Sequence, residues 1–159
     1  MKDQNFTASF AVTKTPEEVF AAINNARGWW SEDIEGHTDR LGADFTYRYK
    51  DVHLCKLHIA ELVPNQRVVW LVRDNFFSFT EDKTEWKGTT IQFEISPAAN
   101  GTEVRFTHKG LVPAYECYSA CSDGWNTYIK GSLRNLILTG QGQPNIGKAV
   151  TESERALSA

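Results

Sequence analysis

The hydrophobic period of this chain of 159 residues changes from that of strands to that of a helix near Gly110, and this change restricts the fold more than any other feature. From about Asp44 to Gly110 the apolar residues follow the two-residue period of strands. After Pro113 they recur at spacings of three and four, which predicts one long amphipathic helix that ends near Gly140. The apolar stripe on that helix comprises Tyr118, Cys121, Trp125, Tyr128, Ile129, Ser132, Leu133, Leu136 and Ile137.

A strand and a helix are predicted before this region. Residues 5–13 alternate between inward and outward side chains, as in a half-buried strand. Thr15, Pro16 and Glu18 then supply an N-cap, a proline at the first helical position and the second half of a capping box. This helix is predicted to end near Asn24, and a short helical turn and a short strand follow within residues 29–36.

Five further strands are predicted over residues 45–49, 54–63, 67–73, 89–96 and 102–108. The last two form a hairpin through Asn100-Gly101. The third is a continuous apolar run, which indicates a strand covered on both faces or one whose outer face is used by something else. Residues 74–88 are predicted to form a polar loop that carries several aromatic rings.

The order of these elements predicts an α+β fold in which a curved antiparallel sheet wraps around the long C-terminal helix. Residues 1–140 are expected to form one domain, since a chain of this length builds one core. Residues 141–159 hold few large apolar side chains and are predicted to be a flexible tail. Within this tail, Thr151 and Glu154 form a weak capping signal for a last helical turn.

Composition excludes several classes of function. The net charge is −3 and the basic residues are scattered, so nucleic acid is not expected as a partner. The polar start of the chain and the lack of a long apolar run predict a cytoplasmic protein with no membrane span. Three cysteines without CxxC spacing fit a reducing compartment and predict no disulfide framework.

Several stretches resemble the START-like superfamily, also called SRPBCC, whose helix-grip fold is that of the birch pollen allergen. Within the superfamily, the chain is most similar to the bacterial homologues of the heat shock protein 90 ATPase activator. The resemblance covers roughly residues 5–140 and is carried by residues 12–20, Gly28-Trp29-Trp30, residues 87–90, residues 104–113, Gly124-Trp125 and Leu133.

The resemblance implies a cavity between the sheet and the long helix, which the superfamily uses for lipids, polyketides, flavonoids and other apolar ring compounds. Such sites are mostly apolar, with a few placed polar groups. The alternative is that inward-facing rings pack against each other as ordinary core. The inward positions that we predict as ligand-binding are Phe45, Tyr47, Leu57, Ile59, Phe93, Phe106, His108, Tyr118, Trp125 and Ile129.

A second set of aromatic residues lies in the predicted connecting segments. These rings are predicted to form the rim of the cavity or a partner surface, although one ring of the tryptophan pair is expected to plug the end of the fold. The set comprises Trp29, Trp30, Phe76, Phe77, Phe79 and Trp86.

His108 is the histidine predicted to point into the core, where it needs a hydrogen-bond partner. It would orient a ligand, or it would bond to a Tyr or a helix carbonyl. Cys117 and Cys121 share a helix face, but Cys121 continues the apolar stripe, so burial is favoured over metal or redox chemistry. The sequence predicts no metal, no cofactor and no catalytic residue.

The sequence therefore predicts a non-catalytic binding protein for a small hydrophobic or aromatic ligand. One alternative is a co-chaperone or stress-response role with a chaperone as partner, which the resemblance implies. This chain departs from the eukaryotic activators, which carry a separate domain before this one. The second alternative is a cyclase-like or hydrolase-like enzyme, for which His108 would be the acid or base.

Overall fold

The structure is a computed structural model and describes residues 4–157. Seven strands form one antiparallel sheet in the order β1-β7-β6-β5-β4-β3-β2. The register of β4 against β5 shifts twice, after Lys56 and after Ile59, and such irregularities bend a sheet. The strands are β1 (Phe6–Val12), β2 (Ile34–Gly36), β3 (Asp44–Tyr49), β4 (His53–Val63), β5 (Arg67–Phe77), β6 (Thr90–Ala98) and β7 (Gly101–Lys109).

Two short helices connect β1 to β2. Helix α1 (Pro16–Asn24) begins with the predicted capping box, in which the Thr15 hydroxyl accepts from the Glu18 N–H and the Glu18 carboxylate accepts from the Thr15 N–H. Helix α2 (Ala26–Trp29) is a single turn. The predicted start and end of α1 are confirmed.

The long C-terminal helix runs continuously from Tyr118 to Thr139. It consists of α3 (Tyr118–Trp125), a π-helical segment (Asn126–Leu133) and α4 (Arg134–Thr139). The helix ends where Gly140 takes a left-handed conformation with φ of 84°, which glycine adopts without a steric penalty. The prediction of one long helix is confirmed, but the π-helical geometry of its middle is not visible in the hydrophobic period.

The helix packs its apolar stripe against the concave face of the sheet. Ile129 and Leu133 are fully buried and belong to the same hydrophobic core as Phe93 on β6 and Phe106 on β7. This arrangement confirms the predicted α+β helix-grip architecture. No helix among residues 4–157 combines the length and the apolar character needed to cross a membrane.

Strand β5 is longer than predicted, since it continues to Phe77 and pairs with β4 up to His53. Phe76 and Phe77 therefore lie on a strand and not in a loop. Their side chains point to opposite faces: Phe77 is buried, whereas Phe76 is 43% exposed. The alternation in Asn75-Phe76-Phe77 covers only three residues, which is too few to predict a strand instead of a loop.

The segment after Gly140, which the sequence predicts to be a flexible tail, makes backbone hydrogen bonds with the rest of the chain. The N–H of Asn145 donates to Trp30 O, and the N–H of Glu32 donates to Asn145 O, at 2.9 and 2.8 Å. Gly142 lies so close to Gly28 O that an added Cβ would stand 2.4 Å from that oxygen. Backbone hydrogen bonds hold this segment, and hydrophobicity gives no signal for them.

Helix α5 (Glu152–Leu157) closes the described chain. Its first turn carries a capping box, in which the Thr151 hydroxyl accepts from the Glu154 N–H at 3.0 Å and the Glu154 carboxylate accepts from the Thr151 N–H at 3.0 Å. The predicted last helical turn is therefore confirmed.

Candidate ligand-binding cavity

A small cavity of about 70 Å³ lies between the sheet, the long helix and α5. Strands β3, β4 and β5 supply one wall, the first half of the long helix supplies another, and residues 151–157 form the roof. Rings dominate the lining. The residues around the cavity are Trp30, Tyr47, Tyr49, Val52, His53, Phe77, Phe79, Trp86, Ala120, Cys121, Gly124, Trp125, Tyr128, Thr151, Ser153, Glu154 and Leu157.

The rings hold each other in fixed positions. The Tyr47 ring stacks on Trp30, with centroids 4.1 Å apart and planes 9° apart. Trp86 stacks on Trp125 with centroids 5.7 Å apart. Because the rings of this wall are already ordered by their neighbours, they lose little conformational entropy when a further ring packs against them. The wall is therefore suited to an aromatic ligand.

His53 is a buried histidine at the start of β4 and lines the cavity. Its Nε2 lies 2.7 Å from Oδ1 of Asn75, so Nε2 carries the proton and donates. Burial lowers the pKa of His53 to about 4, an effect that the hydrogen bond to Asn75 opposes. The ring is therefore neutral near pH 7, and Nδ1 is an acceptor.

The roof is attached by a carboxylate. Glu154 Oε2 accepts from the Tyr128 hydroxyl at 2.8 Å, and Oε1 accepts from the N–H groups of Val150 and Thr151 at 2.7 and 3.0 Å. Burial, followed by the nearby Glu154, raises the pKa of Tyr128. Tyr128 therefore remains a donor, and it ties the long helix to α5.

The structure assigns His108 to the packed interior and not to the cavity. Its Nδ1 accepts from Trp125 Nε1 at 3.0 Å, and its Nε2 donates to the Thr89 hydroxyl at 2.8 Å. The Thr89 hydroxyl in turn donates to Trp86 O at 2.6 Å. Burial, with a smaller contribution from His53, lowers the pKa of His108 to about 3. Because both ring nitrogens are used, His108 has none left for a ligand or for acid-base chemistry.

Two of the ten residues predicted to bind ligand line the cavity, namely Tyr47 and Trp125. The remainder face inward as predicted, but they fill the space between sheet and helix, with the exception of Tyr118, which is half-buried at the start of the helix. The residues in the filled interior are Phe45, Leu57, Ile59, Phe93, Phe106, His108 and Ile129. Alternation gives the face of a side chain but not whether another ring already occupies the space before it.

Four of the six predicted rim residues line the cavity: Trp30, Phe77, Phe79 and Trp86. Trp29 is fully buried in the core and donates from Nε1 to Ile23 O. Phe76 faces away from the cavity.

Sequence reasoning missed His53, Tyr49, Tyr128 and the roof residues. Tyr49 shares a face with Tyr47 two residues earlier, and Tyr128 belongs to the helical stripe, so both had a signal in the sequence. His53 begins a strand one residue before its predicted start. The roof lies in the segment predicted to be a tail.

The cysteines give no sign of a metal or redox centre. Cys117 and Cys121 are both buried and unbridged, and burial followed by the hydrogen bond with Cys117 raises the pKa of Cys121. The raised pKa keeps Cys121 as an unreactive thiol. Within residues 4–157 no group of three or more His, Cys, Asp or Glu side chains is placed to hold a metal ion.

The sheet, the long helix and the cavity between them define a helix-grip protein of the SRPBCC type. The family model for activator of Hsp90 ATPase homolog 1-like proteins matches residues 13–137, and the chain belongs to this family. No curated protein matches the sequence.

Solved structures share the fold. The Aha1 dimer from Colwellia psychrerythraea is 25% identical, with a TM-score of 0.69 over 87% of this chain and 98% of that one. Protein MLL2253 from Mesorhizobium loti is 13% identical, with a TM-score of 0.67 over 84% and 96% of the two chains. Protein SSP2350 from Staphylococcus saprophyticus is 19% identical, with a TM-score of 0.62 over 87% and 95%.

Proposed function

We propose that this chain is a non-catalytic binding protein that takes a small hydrophobic or aromatic compound into the cavity under α5. The observation that carries the proposal is the cavity wall, where stacked rings surround a neutral buried histidine. Membership of an SRPBCC-type family supports it, since the fold provides the space between sheet and helix.

The size of the cavity limits how a ligand enters. A space of about 70 Å³ holds roughly two water molecules, whereas benzene needs about 150 Å³. A ring compound therefore enters only if a wall moves. The rings on the strands are fixed by their neighbours, but the roof hangs on the hydrogen bonds of Glu154 and on the preceding connection, where Ile146 is 60% exposed. Displacement of residues 146–157 is the proposed route of entry.

Thermal melting with a panel of flavonoid, polyketide, fatty-acid and simple aromatic compounds tests the proposal. A compound that binds only the folded state raises the melting temperature in proportion to its concentration over its Kd. We expect stabilisation by at least one of the classes. The absence of any shift across the panel at millimolar concentration would contradict the proposal.

A matched pair of variants locates the binding. Gly124 lines the cavity, and a Cβ added there meets no atom within 4 Å, so Gly124→Leu fills the space. Gly131 on the same helix also has open space around its Cβ but does not line the cavity. We expect Gly124→Leu to abolish the thermal shift and Gly131→Leu to retain it. Equal loss in both variants, or in neither, would show that the compound binds elsewhere.

A second candidate function is an interaction with a chaperone of the Hsp90 type. The family description and the Aha1 structure from Colwellia psychrerythraea favour it. The test mixes the purified protein with the Hsp90-type chaperone of its own organism and measures ATP turnover. Stimulation that persists in Gly124→Leu would assign the interaction to a surface outside the cavity, and an unchanged turnover rate with the wild-type protein would contradict this function.

A further inference from the structure

Some polar atoms on residues of the cavity wall have no hydrogen-bond partner among residues 4–157, including Nε1 of Trp86, Nδ1 of His53 and the hydroxyl of Tyr47. Nε1 of Trp86 is fully buried, whereas Nδ1 of His53 and the Tyr47 hydroxyl are not among the fully buried unpartnered atoms. His53 and Tyr47 lie on neighbouring strands, and their rings meet edge to face with centroids 5.2 Å apart. From this pair we infer that the ligand of the cavity is a small aromatic compound with a hydroxyl group, held by His53 and Tyr47. The inference rests on the proposed function and names the class of ligand.

The His53 ring is fixed as a hydrogen-bond acceptor. Asn75 is buried and uses its Oδ1 to hold Nε2–H, which leaves the lone pair of Nδ1 for a donor. Three further rings surround the imidazole: Tyr47, Phe77 at 4.3 Å and Trp86 at 4.7 Å between centroids. An acceptor held in such an apolar site gains more from a donor than it would in water.

The Tyr47 hydroxyl is the complementary donor. The stacked Trp30 ring fixes the Tyr47 ring, and burial raises the pKa of Tyr47, so the hydroxyl keeps its proton. The Tyr47 residue is buried, and almost all polar atoms in protein interiors are hydrogen-bonded. A partner from outside the chain would satisfy it.

A hydroxyl on the ligand serves both atoms, because it donates to His53 Nδ1 and accepts from Tyr47. A carbonyl or ether only accepts, so it leaves Nδ1 without a donor. A carboxylate on the ligand is disfavoured, because the Glu154 carboxylate already lines the same space. Tyr128 and Glu154 bond to each other, so they do not compete for the ligand hydroxyl.

Phenol and toluene test the inference as a matched pair, since one carries a hydroxyl where the other carries a methyl group of similar size. Binding is followed by the fluorescence of Trp30, Trp86 and Trp125, which line the cavity. The measured quantity is the ratio of the toluene Kd to the phenol Kd. We expect His53→Phe, which keeps a ring in place, to lower this ratio about tenfold, and Tyr47→Phe to lower it about threefold to tenfold.

Tyr118→Phe is the control, because Tyr118 lies on the long helix outside the cavity wall and its variant should leave the ratio unchanged. Tyr47→Phe keeps the stacked ring, so the test stands if His53→Phe fails to fold. If both compounds bind and neither variant changes the ratio, the inference is overturned while the proposed function stands. If neither these compounds nor any of the wider panel binds the wild-type protein, the proposed function fails and the inference fails with it.

Discussion

The interior between sheet and helix contains two regions, each with one buried histidine, and the two histidines differ in how many of their ring nitrogens have a hydrogen-bond partner. In the packed region, Phe93, Phe106 and His108 are fully buried, and both nitrogens of His108 have partners. In the cavity region, around Tyr47 and His53, only one nitrogen of the histidine is used. Both histidines are held neutral by burial, so a lowered pKa alone does not distinguish a structural group from a ligand contact. The difference lies in the partners of the second nitrogen.

Truncation of one ring in each region tests most directly whether the two regions differ in packing. Phe106 is fully buried, so Phe106→Ala should lower the free energy of unfolding by about 3 to 5 kcal/mol. Phe79 is only partly buried beside the cavity, so Phe79→Ala should cost about 1 to 2 kcal/mol. Urea unfolding measures both values, and equal losses would show that the two regions are packed alike.

Removal of each histidine comes next in size. His108→Leu leaves Trp125 Nε1–H without an acceptor and Thr89 without a donor, and we expect a loss of about 2 to 3 kcal/mol. His53→Leu leaves only Asn75 without its partner, so the expected loss is about 1 to 2 kcal/mol. Urea unfolding at pH 7.5, where neither folded-state histidine is protonated, compares them. A larger loss for His53 than for His108 would contradict the assignment of full pairing to His108.

The pH dependence of stability tests the feature that the two regions share. The folded-state pKa values of His53 and His108 are about 4 and about 3, below the unfolded value of 6.5. Between these values the unfolded chain binds the protons, so stability is fully present above about pH 6.5 and is lost as the pH falls toward 4. The slope should approach about 1.4 kcal/mol per pH unit for each histidine.

Variants separate the two contributions to that slope. His53→Gln should remove about half of it, whereas His37→Gln should leave it unchanged because His37 is exposed. Unfolding free energies between pH 4.5 and 7.5 give the slope. A flat profile in the wild-type protein would mean that the two imidazoles are not held neutral in the folded state.

The smallest expected effect on stability comes from a change in the roof, which covers the cavity region and not the packed region. Glu154→Gln weakens the bonds to Tyr128, Val150 and Thr151, and we expect the amides of residues 150–157 to exchange hydrogen about fivefold faster, equivalent to about 1 kcal/mol. Global stability should change by less than about 0.5 kcal/mol, because α5 buries none of its own residues.

Glu152→Gln is the matched control on the same helix. The Glu152 side chain is 89% exposed and pairs only with Arg155 at the surface, so its removal should leave the exchange of the roof amides near the wild-type rate. Equal acceleration in the two variants would mean that Glu154 does not hold the roof in place.

The elements of the fold follow from local patterns. The capping box at Thr15 and Glu18 fixes the start of α1, and alternation on β3, β6 and β7 gives the inward faces correctly. The stripe from Tyr118 to Ile137 and the glycine at 140 define the long helix. These signals are readable because each depends on residues within about four positions of each other.

The site follows less directly from the sequence. Tyr47 and Phe93 occupy equivalent inward positions on their strands, yet one borders the cavity and the other is enclosed by Trp29, Trp70 and Phe106. His108 has the stronger sequence signal, since it extends an apolar face, whereas His53 sits at a strand end. The path of the chain between the long helix and the roof depends on hydrogen bonds between residues more than one hundred positions apart. The Ser132 hydroxyl donates to Trp29 O, and the Asn145 N–H donates to Trp30 O.

Local patterns along the chain predict a curved antiparallel sheet around one long helix, with most rings of the strands and the helix facing inward, because periodicity and capping act over a few residues. The folded structure was needed to show which rings fill the interior and which surround a cavity, which histidine keeps an unused nitrogen, and that residues 151–157 form a roof. Each of these features depends on which side chain of a distant strand or helix occupies a given space. The spacing of residues along the chain does not indicate such long-range contacts.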